Sequence, residues 1–229
     1  LANQGAKLAI AGTNQEKLKR ISANIQKNTG SETIGFQVDV ADPDSVVQLA
    51  EDVKARFGTV DVLVNTQGLN YKHPATEFPV DQWDKMFGVN VKGVMLACRE
   101  FGKIMIANQK GKVINLSSVR GVRATLWGGN EGYCGTKGAV DMMTRSLASE
   151  WAEHNINVNA IGPSLIRTPL AEKTLNDPER LAVYLANVPL KRVGEPKDLV
   201  GLCVFLASPA SDFITGQIIY LDGGLTAIG

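Results

Sequence analysis

Short apolar runs alternate along this chain with longer stretches in which apolar residues recur every three to four positions. Residues 7–11, 33–38, 60–65, 112–116, 157–161 and 217–221 have strand length and β-branched or apolar content. Runs of this kind predict strands covered on both faces, the pattern of a parallel sheet. Between them lie helical stretches. Asp42 followed by Pro43 is an N-cap and first-turn pair, and Val46, Leu49, Ala50, Val53 and Phe57 then fall on one helix face. Pro196 opens another helix, with Leu199, Val200, Cys203, Phe205 and Leu206 as its apolar residues. A long helix is predicted from about residue 131 to 155, and a further long one, carrying Asn90, before the strand at 112–116. Strand, helix, strand repeated in this way predicts an α/β fold: a Rossmann-type, doubly wound parallel sheet with helices on both faces.

In such a sheet the ligand crevice lies beyond the C-terminal strand ends, so the residues just after each strand are the candidates for function. They are Thr13, Asp39, Asn65 with Gly68, Ser117 with Ser118, and residues 163–168.

Composition narrows the possibilities. The 229 residues and 24.6 kDa suit one core, so residues 1–229 are expected to form a single domain. With 44% hydrophobic and 21% charged residues, disorder and disulfide scaffolds fit poorly. A net charge of +1 offers no basic field, so no nucleic-acid partner is expected. Cys98, Cys134 and Cys203 are odd in number and far apart, which points to a reducing, cytoplasmic setting. His73 and His154 have no second ligand at metal-binding spacing, and no metal site is expected. No apolar run approaches the roughly 20 residues that cross a bilayer, so no membrane partner is expected either.

The candidate chemistry centres on Tyr133 and Lys137, which share a helix face at i and i+4. A phenol with the ordinary pKa of about 10 is a poor base near neutrality. An ammonium group held beside it favours the phenolate. Ser118, at the end of the strand at 112–116, and Asn90 lie on separate elements that can reach the same strand-end crevice.

These residues are the ones in which the sequence resembles the classical short-chain dehydrogenase/reductases, along its whole length. The family's Tyr-x-x-x-Lys falls on Tyr133 and Lys137, its Ser-x-x-Gly on Ser118 and Gly121, and its active-site Asn on Asn90. Ser117 competes with Ser118, which the glycine three positions on favours. The resemblance implies a catalytic set of Asn90, Ser118, Tyr133 and Lys137 acting with a nicotinamide cofactor. Asp39 and Val40 resemble the pair that meets the adenine. Asn65 and Gly68 match the ends of the family's Asn-Asn-Ala-Gly, with Thr66 and Gln67 departing between them. Ile166 and Thr168 resemble the nicotinamide-carboxamide segment, with Ser164 where the family usually has Gly.

The family's first strand and its glycine-rich phosphate loop have no counterpart, because the chain opens where the following helix normally ends. N-terminal residues of a longer natural chain are expected to supply them; without them, two strands lose a neighbour. Where NAD enzymes usually carry an acidic side chain, this chain has Gly12, Thr13 and Asn14, and Lys17 lies close by. That favours NADP over NAD, with the Thr13 hydroxyl donating a hydrogen bond to the 2′-phosphate.

Gly132 to Met142, Ser149-Glu150-Trp151 and Pro169-Leu170 resemble the branch of gluconate 5-dehydrogenases and related sugar or polyol enzymes. The implied reaction interconverts a secondary alcohol and a ketone on a sugar, polyol or sugar acid. The 3-oxoacyl-carrier-protein reductases, built on the same four residues, are the alternative. A non-catalytic Rossmann-type binding subunit is the alternative from another class. Arg120 and Arg123 suit a sugar-acid carboxylate, an acidic carrier or plain solvent equally. Trp127 and Trp151 suit core or interface, and Tyr71 and His73 suit the site mouth or a loop cap. By resemblance a homotetramer is expected, formed through the helices around residues 90–108 and 131–155, together with a lid over residues 170–187 that carries Leu175, Leu181, Tyr184 and Leu185.

Overall fold

The computed structural model describes residues 1–125 and 127–228. In chain order, β1 (Leu8–Gly12) leads through α1 (Gln15–Thr29) to β2 (Thr33–Gln37), and α2 (Pro43–Phe57) leads to β3 (Val62–Asn65). Then come α3 (Val80–Phe87), α4 (Gly93–Asn108), β4 (Gly111–Leu116), α5 (Glu131–Trp151) and β5 (Ile156–Pro163). Two short helices, α6 (Glu172–Leu175) and α7 (Pro178–Ala186), precede α8 (Val200–Leu206) and β6 (Ile218–Leu221).

Every strand pairing is parallel, and the strands divide into a sheet β1–β2 and a sheet β3–β4–β5–β6. Thus β1 and β3 each pair on one side only. One apolar cluster still spans both sheets: Val46, Leu49, Val53, Leu96 and Phe101 pack with Phe36 of β2 and Leu63 of β3.

Period-two alternation in β4 sets the two faces of the larger sheet. Val113 packs with Val158 under α4 and α5, whereas Ile114 packs with Ile161 and Leu206 of α8. Helices on both faces leave no wet side, which is why these strands read as continuous apolar runs.

The caps follow the sequence signals. The Asp42 side chain accepts from Asp44 N with Pro43 in the first turn, and Asn14 caps α1 through Lys17 N. Several boundaries differ from expectation. The helix expected at Pro196 starts as a 3-10 turn, Pro196–Leu199, before α8. The helix bearing Asn90 is broken by a π turn, Gly88–Lys92, between α3 and α4. The long helix ends at Trp151 in a 3-10 turn closed by Asn155 at φ 56°. A strand expected to stop at Ile161 runs on to Pro163, because β6 pairs with it to Leu221, and so delivers Pro163 to the site.

Close helix approach rests on a small residue: a Cβ on Gly102 of α4 would lie 2.7 Å from the Trp151 ring of α5. This places Trp151, 5% exposed, in the core. Gly102→Ala is expected to destabilise the protein by about 1–3 kcal/mol through overpacking, read as a lower urea midpoint with an unchanged slope.

Candidate active site

A cavity of about 350 Å³ opens at the C-terminal ends of β3, β4 and β5. Its walls include Gly68, Ser118, Tyr133, Lys137, Ile166 and Thr168. These residues come from four separate stretches of chain, and they meet because parallel strands end on the same side of a sheet.

Lys137 is 3% exposed, and its Nζ donates to the Leu116 carbonyl at the end of β4, at 2.7 Å. Burial holds its pKa down at about 8, while Asp141 one turn on works in the opposite direction. The ammonium lies 5.6 Å from the centre of the Tyr133 ring, over the ring rather than at the hydroxyl. The sequence reading has the lysine lowering the phenol pKa; here burial dominates and pushes it up to about 12. A hydrogen bond with Ser118 and the charge of Arg120 pull it down less strongly. Tyr133 therefore stays protonated at neutral pH in the unliganded site.

Ser118, not Ser117, is the serine that meets Tyr133. Its hydroxyl donates to Pro163 O at 3.2 Å and accepts from Arg120 N at 3.2 Å. The Ser117 hydroxyl turns to the Lys137 carbonyl instead, at 3.5 Å. Asn90 is fully buried in the π turn, a distortion that recurs at functional sites. Its Oδ1 accepts from Leu69 N at 2.7 Å, and its Nδ2 donates to Leu69 O and to Thr136 of α5. Asn90 thereby ties the loop after β3 to the helix that carries Tyr133 and Lys137. A methyl on Gly68 would sit 3.9 Å from Asn90 Oδ1 and 4.0 Å from Lys137 Nζ, so the three converge.

The remaining candidates are spread more widely. Asn65 is buried with its side chain spent inside the fold: Nδ2 donates to Asn115 at 2.9 Å, and Asn115 donates on to Thr144 of α5. Thr13, Asp39 and Val40 lie at the ends of β1 and β2, away from this cavity. The Asp39 side chain accepts from Ala41 N, which orders its own turn. Ile166 bridges to Gly194, where any Cβ would strike the Ile166 side chain. Thr168 is exposed at the rim. Tyr71 lies outside the cavity lining, and His73 pairs with Gln82 and packs on Phe78. Trp127 lines the cavity beneath the Arg180 guanidinium.

Tyr184 belongs to the site more closely than its sequence reading suggests. Its hydroxyl donates to Ser164 at 2.9 Å and accepts from Leu165 N at 3.2 Å. Ser164, which stands where the family usually has glycine, supplies this partner, and that departure was the available signal. With Leu175, Leu181 and Leu185, Tyr184 packs the segment expected to be a lid onto Val119, Val188, Val193 and Leu225. Sequence reasoning also passed over three buried polar atoms without a protein partner, Gln67 Nε2, Asn70 Oδ1 and Asn130 Oδ1, on residues that line the cavity. Unfilled polar atoms of this kind fit a ligand rich in amide and hydroxyl groups, as the nicotinamide-ribose half of a dinucleotide is.

Fold and cavity together define a dinucleotide-dependent oxidoreductase. Residues 1–226 match the family model described as enoyl-(acyl carrier protein) reductase. The chain is 38% identical to a 2-dehydro-3-deoxy-D-gluconate 5-dehydrogenase of Pseudoalteromonas atlantica, covering 96% of this chain and 83% of that one. It is 32% identical to the 5-keto-D-gluconate 5-reductase of Escherichia coli, covering 98% and 87%. Among solved structures, a gluconate 5-dehydrogenase from Burkholderia cenocepacia in complex with NADP and tartrate superposes with a TM-score of 0.96 at 33% identity, over 100% of this chain and 89% of that one. The chain belongs to the short-chain dehydrogenase/reductase family, and it is an NAD(P)-dependent enzyme. A non-catalytic binding subunit is thereby the poorer account. No helix among the described residues is long and apolar enough to cross a membrane.

Behind the cavity, Asp141 is 3% exposed, and a Cβ on Gly121 would collide with its Oδ2. This explains the glycine of the Ser-x-x-Gly pattern locally. Burial raises the Asp141 pKa, and Ser117, Arg145 and Lys137 offset it incompletely. A raised folded-state pKa means that the stability tied to the protonated acid is present in acid and is lost as pH rises through that pKa. Asp141→Asn is therefore expected to raise Tm by roughly 2–4 °C at pH 8. The gain should vanish below about pH 4, where the acid is neutral in both states, as followed by thermal melts across pH.

Proposed function

We propose that this enzyme interconverts a secondary alcohol and a ketone on a sugar, polyol or sugar acid. The meeting of Ser118, Tyr133 and Lys137 in the wall of one small cavity, with Asn90 bonded behind it to Leu69 and Thr136, carries the reading, and the names of the similar proteins point to sugar acids. A nicotinamide cofactor held along Gly68, Ile166 and Thr168 would supply the hydride chemistry. Tyr133 gives its phenolic proton to the carbonyl oxygen during reduction and takes the hydroxyl proton back during oxidation. Because burial keeps the phenol protonated, reduction needs no prior ionisation of the site. Ser118 holds the reacting oxygen beside Tyr133. Lys137 brings positive charge to the face of the Tyr133 ring and would hold the cofactor's ribose, and Asn90 keeps the loop at Gly68 and Leu69 in register with α5.

Ile166 and Thr168 would hold the nicotinamide carboxamide, and Gly68, with Asn65 before it, would hold the ribose. Thr13, Asp39 and Val40 take the adenosine end. NADP is the preferred cofactor. The strand-end residues Gly12, Thr13 and Asn14 present no carboxylate to a 2′-phosphate, and the Asn14 side chain is committed to capping α1. The 3-oxoacyl-carrier-protein reading is second; the description of the family model shares its acyl carrier but names an enoyl rather than a ketone reduction.

We also place the enzyme in the cytoplasm as a homotetramer. Its three cysteines are unpaired, and Met95 of α4 and Met142 of α5 are 41% and 61% exposed on the helices expected to meet a partner.

Tyr133→Phe is expected to lower kcat for 5-ketogluconate reduction by about 10²–10⁴-fold while changing NADPH affinity little. Unchanged turnover refutes the assigned acid, and faster wild-type reduction of a β-ketoacyl thioester favours the second reading. NADPH should exceed NADH in kcat/KM by at least about tenfold, the effect of a single charge-assisted contact; the reverse order overturns the cofactor preference.

A further inference from the structure

Arg120 is a half-buried cation with no acid beside it. It sits in the 3-10 turn Val119–Gly121, one step beyond the hydroxyls of the site, with its backbone N bonded to Ser118. Its Nη1 donates to the carbonyls of Arg123 and Ala124, which fixes the guanidinium plane. No carboxylate of the described residues lies within ion-pair distance, and Nε and Nη2 have no protein acceptor among the described hydrogen bonds. A guanidinium taken partly out of water without a counter-ion is costly unless something else supplies the charge.

The cavity wall repeats the imbalance. Lys72, on the loop after β3, also lines it, and its pKa is lowered by desolvation and by Arg180, Arg120 and Lys173 around it. Arg180 already pairs with Asp177 at 3.1 Å. Neither Asp nor Glu lines the cavity among the described residues. Arg123, the other arginine that the sequence offers, turns away and donates to Leu225 O.

We propose that Arg120, assisted by Lys72, forms a carboxylate subsite that selects an acid-bearing substrate and sets the reacting carbon at Tyr133 and Ser118. This rests on the oxidoreductase reading above and narrows its substrate to hydroxy or keto acids. The free edge of the Arg120 fork suits a planar two-oxygen anion. Its position inside the cavity suits a small molecule better than an acidic carrier protein, which needs its arginines outside. The anion supplies the missing counter-charge, so the correct substrate relieves a cost that a neutral analogue leaves in place.

The test compares 5-ketogluconate with L-sorbose, which carries a hydroxymethyl group in place of the carboxylate. In Arg120→Met the ratio of kcat/KM for the acid over the neutral ketone should fall by about 10–100-fold. Arg120→Lys should recover part of the ratio, and Lys72→Met should lower it by about 3–10-fold. An unchanged ratio, or equal losses on both ketones, overturns the subsite. Calorimetric titration with gluconate and glucitol separates this from failure of the reaction assignment. If neither ketone is reduced, gluconate binding by wild type that is lost in Arg120→Met upholds the subsite without the reaction. Absent gluconate binding, or equal binding of gluconate and glucitol, ends the proposal.

Discussion

The site depends on one buried hydrogen bond, from the Lys137 ammonium to the Leu116 carbonyl. It fastens the first turns of α5 over the C-terminal end of β4, where a carbonyl no longer used by the sheet is free to accept. Burying an ammonium group is expensive, and a single neutral acceptor does not repay it. That cost is why its pKa is held down, and why the surroundings are built around its charge: Asp141 a turn away, the Tyr133 ring against it, and an open cavity in front. With α5 so placed, Tyr133 has only one direction to face.

The same reasoning explains where the fold departs from local consistency. Away from the site, alternation, caps and turns agree, and the apolar clusters on both sheet faces fill as the sequence pattern requires. Departures concentrate at the strand ends. They are the π turn at Asn90, unpartnered polar atoms on Gln67, Asn70 and Asn130, the incompletely offset Asp141 and the unpaired Arg120. Each costs stability in the unliganded protein, and most face a cavity that a charged, hydroxylated ligand would fill.

Much of this was legible beforehand. Strand and helix positions followed from hydrophobic period, the candidates Tyr133, Lys137 and Ser118 from the Tyr-x-x-x-Lys and Ser-x-x-Gly spacings, and Asn90 from a separate likeness to the family. The structure places Ser118, Tyr133 and Lys137 in one cavity wall and Asn90 behind it. Other readings changed with the third dimension. Asn65 looked like a ligand residue because it follows a strand, yet its amide reaches inward to Asn115. Ser164 looked like a departure from pattern and proved to be half of a bond with Tyr184, twenty positions on. Neither partner is visible in a window of local sequence.

By itself the sequence determined which stretches become strands and helices, that the strands run parallel under helices on both faces, and which residue types crowd their ends. These properties depend on periodicity and on turn chemistry, which act over a few neighbouring residues. Only the tertiary structure decided the charge states and partners. It set the phenol high rather than low, chose Ser118 over Ser117, spent Arg123 on the Leu225 carbonyl and left Arg120 without a counter-ion. Burial and pairing are properties of what surrounds a group, and at this site the surroundings come from stretches of chain that lie far apart until the sheet brings their ends together.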